Sequence, residues 1–245
     1  MQILLSCAKD MATKPISNAP LCTMPHFQAH AEEHARELMR CSAGELQEML
    51  HCNEKLAVLN KLRYEHFFDD GLVLPAALAY TGQAFRHLRA KDWSSEVWEY
   101  AQEHLFITSF LYGLLRPRDG IRNYRLEGTA RRPDTDERYF DYWRSHLTEH
   151  FIRAIKADDG ILLNLASEEM KGLFDWRCVC EEVEVVQPEF MVAKEGGLKT
   201  VVVYAKMCRG AMARYVLTHR CTSLAELRSF EYEGFHYAND WLYVL

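Results

Sequence analysis

Apolar and polar positions follow two rhythms along this chain. Short unbroken aliphatic runs, Ile3-Leu4-Leu5, Leu105-Phe106-Ile107, Ile161-Leu162-Leu163 and Val201-Val202-Val203, have the length and residue types of strands buried on both faces. Between them, apolar residues recur at helical spacing: Phe27, Ala31, Ala35 and Leu38, then Leu56, Leu59 and Leu62, then Trp93, Val97 and Tyr100, and from Glu137 onward Tyr139, Phe140, Trp143, Leu147, Phe151 and Ile155. Ser42-x-x-Glu45 and Ser223-x-x-Glu226 have the form of capping boxes, and Asn53 is placed to cap the helix that follows it. Met207 to His219 is expected to be helical. Ala77-Leu78-Ala79-Tyr80 is a candidate strand broken at Thr81-Gly82, and Val179 to Val185 alternates apolar and acidic residues as a half-exposed strand does. Phe190 to Tyr204 suggests a hairpin turned at Glu195-Gly196-Gly197, and Phe230 to Val244 an extended tail.

Strands alternating with helices, with no internal repeat and no dividing linker, imply one α/β domain over residues 1–245, a mixed sheet flanked by helices. Three of the aliphatic runs end alike. Ile3-Leu4-Leu5 leads into Ser6-Cys7-Ala8-Lys9, Ile161-Leu162-Leu163 into Asn164-Leu165-Ala166-Ser167-Glu168-Glu169, and Val201-Val202-Val203 into Tyr204-Ala205-Lys206 and Arg209. As neighbouring strands they would bring Ser6, Lys9, Asn164, Ser167, Glu168, Tyr204, Lys206 and Arg209 to one rim, the carboxyl end of the sheet, where ligands bind in open α/β folds. Asn, Ser and Glu after a strand also serve as helix caps. Three cations beside buried strands, however, repel one another unless acids or a bound anion compensate.

Composition adds limits. The 245 residues are 49% hydrophobic and 26% charged, the make-up of an ordinary globular protein. Met1 to Leu5 is too short for a signal peptide. The eight cysteines are scattered and show no C-x-x-C pair, which suits reduced thiols in a cytoplasmic protein; Lys9 is expected to lower the pKa of Cys7. The net charge of −6 argues against indiscriminate nucleic-acid binding while leaving room for a local basic cleft.

Against that charge, Arg116, Arg118, Arg122, Arg125, Arg131 and Arg132 crowd one connection. They suit a phosphate-binding wall, since guanidinium groups contact phosphate bidentately, or equally a loop tied down by ion pairs to Asp119, Asp134, Asp136 and Glu137. Leu111-Tyr112-Gly113-Leu114-Leu115 has the form of a helix-hairpin-helix turn, whose backbone N–H groups meet a DNA phosphate strand. His26, His30 and His34 are spaced four apart but lack the H-E-x-x-H order and flank an apolar stripe where solvated residues sit. No metal site and no cofactor are expected. No P-loop, dinucleotide fingerprint or nucleophile elbow is present.

Several of these segments together resemble the YaaA family of peroxide-stress proteins: Leu4-Leu5-Ser6-Cys7-Ala8-Lys9, Leu111 to Asp119, Tyr124-Arg125-Leu126-Glu127-Gly128, Asn164 to Glu169, Tyr204-Ala205-Lys206-x-x-Arg209-Gly210 and Glu233-Gly234-Phe235. The likeness covers nearly the whole chain, although Cys7 stands where the family often has proline. It implies a cytoplasmic protein with a basic cleft and a helix-hairpin-helix-like element, which binds double-stranded or structured DNA and limits iron-dependent oxidative damage under peroxide. On that reading Lys9, Arg116, Arg118, Arg125, Lys206 and Arg209 contact DNA phosphates, supported by Ser6, Asn164, Ser167, Glu168 and Tyr204, without base readout. The alternative is an enzyme acting on a phosphorylated or nucleotide-like small molecule, with Glu127 and Lys206 as catalytic groups. A closed pocket would suit the small molecule and an open groove the duplex.

Overall fold

Three of the four aliphatic runs build the centre of the molecule. The structure, a computed structural model, describes all 245 residues. Strand β1 (Gln2–Leu5) is followed by a proline-bearing loop and helices α1 (Gln28–Arg40), α2 (Ala43–Met49) and α3 (Glu54–Glu65). Then come β2 (Leu74–Pro75), α4 (Ala76–Ala79), α5 (Gln83–Leu88), a 3-10 helix at Ala90–Asp92 and α6 (Ser95–His104), leading to β3 (Leu105–Ser109), β4 (Gly113–Leu115) and β5 (Gly120–Ile121). Helix α7 (Tyr139–Lys156) precedes β6 (Ile161–Leu165), a 3-10 helix at Glu168–Leu173, α8 (Trp176–Glu182), β7 (Glu184–Val186), β8 (Glu189–Lys194) and β9 (Gly197–Lys199). The chain closes with α9 (Val202–His219), α10 (Leu224–Leu227), β10 (His236–Asn239) and β11 (Leu242–Val244).

The main sheet has the order β4-β3-β1-β6-β7. β1 runs parallel to β3 and to β6, and β6 parallel to β7; only β4 is antiparallel, joined to β3 by a tight turn. Ile3, Leu4, Leu105, Ile107, Leu162 and Leu163 are fully buried, as strands covered on both faces require. The chain leaves β1 for β3 on one side and later enters β6 on the other. β1 is therefore the point where the strand order reverses, and its carboxyl end is the crevice in which such sheets hold ligands. A four-stranded sheet, β10-β11-β8-β9, gathers the C-terminal part, and β2 pairs with β5. One core of packed side chains joins these pieces.

The caps behave as their chemistry dictates. Ser42 accepts from Glu45 N while Glu45 reaches back to Ser42 N at 2.7 Å, and Asn53 Oδ1 accepts from Leu56 N at 2.9 Å. Three expectations need correction. Val201-Val202-Val203 is not a strand: Val202 opens α9 and is 64% exposed. Val179 lies inside α8, started by Asp175, whose carboxylate accepts from Cys178 N; only Glu184–Val186 is strand. Ala76–Ala79 forms a buried helical turn after Pro75.

Candidate functional site

The polar segments that follow β1 and β6 meet at the carboxyl end of the sheet. Ser6 and Ser167 leave the two strands side by side: Ser167 N donates to Ser6 Oγ at 2.8 Å and the two hydroxyl oxygens are 3.3 Å apart. Ser167 stands at the start of the 3-10 helix without its side chain capping it, which leaves that hydroxyl on the cavity rather than on the backbone. Cys7 N donates to Thr108 Oγ1 of β3 at 3.1 Å and fixes the turn that carries Lys9.

Around these residues lies a cavity of about 370 Å³. Four cations from three parts of the chain line it: Lys9 after β1, Arg125 on the long connection, and Lys206 and Arg209 on the first turns of α9. Three carboxylates line it too, Asp10, Glu127 and Glu169, and Glu127 sits among the cations. Its Oε1 is 3.0 Å from Lys9 Nζ and 3.3 Å from Arg125 Nη2. Neither approach has hydrogen-bond alignment, so Glu127 Oε1 is held by ion pairs alone, and Arg125 Nε is separately buried with no hydrogen-bond partner. Such atoms carry a desolvation cost that a ligand can relieve. Phe85, Phe110, Leu126 and Met170 supply an apolar wall. A few convergent polar groups on an apolar cavity of this volume make a small-ligand site.

Burial holds the Arg209 pKa below the ordinary arginine value, with Glu168 pulling the other way; a guanidinium remains charged there and gains most from an anionic ligand. Burial also pushes the Cys7 thiol up to about 12, with Glu169 and Glu127 adding to the rise and the Thr108 hydrogen bond opposing it. This corrects the expectation that Lys9 lowers it. Cys7 is held in its thiol form on the cavity wall.

The placement of α9 depends on Gly210. A β-carbon there would lie 1.9 Å from the Ala84 carbonyl oxygen, so only glycine lets α9 press against α5 and turn Arg209 into the cavity. Gly82, on the same wall, would meet the Ala8 side chain at 2.7 Å.

Residues 1–241 match the family model of the peroxide stress protein YaaA. The chain belongs to the YaaA family. Among its YaaA/UPF0246 relatives, a UPF0246 protein of Bacteroides fragilis is 51% identical over 239 residues, 97% of this chain and 93% of that one. One of Porphyromonas gingivalis is 47% identical over 240 residues, 96% and 93% of the two chains. A more distant one, of Dinoroseobacter shibae, is 39% identical over 226 residues, 89% and 83%.

In this YaaA-family chain the expected site residues divide. Ser6, Lys9, Arg125, Glu127, Ser167, Lys206 and Arg209 line the one cavity. Arg116 does not. Its guanidinium stacks 3.3 Å from the Phe106 ring and donates to Gln2 Oε1 and Glu103 O, both at 3.0 Å. Burial lowers its pKa to about 10. Arg118 Nε donates to the Leu21 carbonyl at 3.2 Å, away from the cavity. Arg131 pairs with Asp136, and Arg132 is buried against Glu33 and Glu37. Arg131 and Arg132 thus follow the ion-pair reading of the connection, while Arg116 and Arg118 are held by uncharged partners. Asn164 is buried, accepting from Ala166 N and donating to Gln187 Oε1 at 3.0 Å. Tyr204 is an exposed residue of α9 outside the cavity. Glu168 turns to Lys171 at 2.7 Å, and its neighbour Glu169 lines the cavity instead.

The helix-hairpin-helix expectation is also corrected. Leu111 to Leu115 is the turn between β3 and β4 and its second strand. The segment is buried, Tyr112 N donates to Ser109 Oγ, and the face of Gly113 packs on Trp143. The histidines form no solvated ladder: His34 is fully buried among Tyr139, Tyr142 and Trp143. No helix is long and apolar enough to cross a membrane.

Proposed function

We propose that this chain serves the peroxide-stress response by taking a phosphate-bearing group of nucleotide size, carried by DNA, into the four-cation cavity. One observation supports this above the others: Lys9, Arg125, Lys206 and Arg209 line a single cavity of about 370 Å³, where Arg125 Nε is buried with no hydrogen-bond partner. The volume suits one nucleotide and not a duplex. The DNA contact is therefore made at an unpaired nucleotide or a strand end, which is where structured DNA differs from regular duplex. Holding that element out of solution would limit iron-dependent oxidation of it.

Binding is tested with a short single strand bearing a 5′-phosphate, titrated against a closed circular duplex of the same composition. The single strand is expected to bind, with log K falling against log salt at a slope of about −2 to −3. Equal binding of the circular duplex, or affinity indifferent to salt, would overturn the proposal.

A second reading has its own support. Tracking phosphates needs no carboxylate, yet Glu127 touches two of the four cations. In an enzyme acting on a free phosphorylated molecule, Lys206 and Arg209 hold the anion and Glu127 moves a proton. Turnover of a nucleotide that Glu127→Gln abolishes while leaving its binding intact would select this reading.

A further inference from the structure

A second, larger cavity of about 670 Å³ lies on the other side of Phe85, whose side chain lines both. The two are also joined by a buried hydroxyl pair: Tyr80 lines the second, Tyr124 the first, and their hydroxyl oxygens are 2.8 Å apart. Helix α5 and its C-terminal cap form the partition. None of the residues that sequence reasoning placed in a site lies here.

The lining of this cavity is charged in one sense. Lys14, Arg86, Arg89 and Lys91 face it, opposed by the single carboxylate of Asp92. Asp92 is already engaged, its Oδ2 2.7 Å from Arg89 Nε. Arg86 Nε donates to the Thr81 carbonyl at 3.2 Å, an uncharged partner. Lys14, Arg86 and Lys91 thus have no carboxylate within ion-pair distance, in a chain whose net charge is −6. Ile16, Ala77 and Leu78 give the cavity an apolar floor. Arg89 caps α5 in the left-handed conformation, with φ of 54°. Uncompensated like charges on a concave wall attract a counter-anion, and the concavity focuses their field.

We infer that this cavity is a second anion site, which binds a phosphorylated molecule of nucleotide size. The shared chemistry is phosphate, either on a free nucleotide or on the next unit of a strand whose end occupies the first cavity. The inference stands on its own lining residues and does not require the first site to be occupied.

Calorimetric titration of the full chain with ADP at low salt tests it, using the wild type, Lys206→Ala and the double variant Arg86→Ala/Lys91→Ala. Both altered residues of the double variant are exposed, and a thermal melt checks that its fold is kept. Two equivalents of ADP are expected in the wild type. The double variant should weaken one of them by about tenfold or more and leave the other, and Lys206→Ala should do the reverse. A single equivalent removed only by Arg86→Ala/Lys91→Ala would also support the second site while refuting the reading of the first. A single equivalent removed only by Lys206→Ala, or no binding of ADP at all, overturns the inference. A tetrathymidylate carrying a 5′-phosphate separates the two sources: a strand spanning both cavities binds once and is weakened in either variant, whereas separate nucleotide sites respond to one variant each.

Discussion

Arg116 and Arg125 belong to the same connection and carry the same group, yet their surroundings give them opposite roles. Arg116 stacks on Phe106 and donates to Gln2 and Glu103, so its donors hold the N-terminal strand to α6 and β3. Arg125 keeps a buried Nε without a partner and faces the cavity. Sequence supplies the charge of a residue but not its partner, which here comes from strands a hundred positions away; that is why the arginine cluster was legible and its division was not. His34 shows the same limit. Its helical spacing with His26 and His30 was plain, but its burial follows from aromatic residues on α7. Burial, with Arg132, His30 and His146 adding to it, pushes its pKa down to about 3, and both ring nitrogens lack partners. The unfolded chain takes up a proton near the ordinary value of 6.5, which the folded chain refuses until about pH 3. His34 therefore contributes full stability above pH 6.5, and that contribution falls by about 1.4 kcal/mol per unit as the pH drops through the window between them. Urea unfolding at pH near 7.5 and 5 measures it. His34→Leu should flatten the difference by about that slope, and an unchanged pH dependence would place the sensitivity elsewhere.

At the scale of elements, the caps and the buried parallel strands were legible because each rests on local chemistry: a serine and a glutamate three apart, or an aliphatic run bounded by polar residues. Val201 to Val203 misled for a physical reason. Three β-branched residues favour a strand, but Val202 and Val203 are exposed, so the packing of Ala205, Cys208 and Met212 behind them decides for a helix. Lys206 and Arg209 still reach the cavity because α9 contacts β1 and β6. The turn at Leu111 to Leu115 misled similarly: its pattern fits either hairpin, and the strands on both sides settle it. Glycine gives a test at this scale. Gly210→Ala should cost about 2 kcal/mol in urea unfolding and weaken phosphate binding, because α9 must move off Ala84. Gly44→Ala, in a helix with no neighbour nearer than 3.9 Å, should stabilise by about 0.5–1 kcal/mol. If Gly210→Ala matched the wild type in both measurements, the close helix contact would not be what positions Arg209.

For the whole molecule, the strand order places the carboxyl end of β1 at the reversal point of a parallel sheet, and loops from both sides of that point, with the start of α9, close one cavity. The chain is acidic overall, so the proposed phosphate binding rests on this local gathering of cations. The site was legible as an edge of the sheet with the right residue types. It was not legible as a cavity, because its walls depend on Gly82, Ala84 and Phe85, which carry no chemistry of their own. The most direct measurement is the affinity of a 5′-phosphorylated short strand for Lys206→Ala, Arg125→Ala and Arg118→Ala at fixed low salt. The account predicts a loss of about tenfold or more for the first two and wild-type affinity for Arg118→Ala; undiminished binding by Lys206→Ala and Arg125→Ala, with the loss appearing in Arg118→Ala, would contradict it.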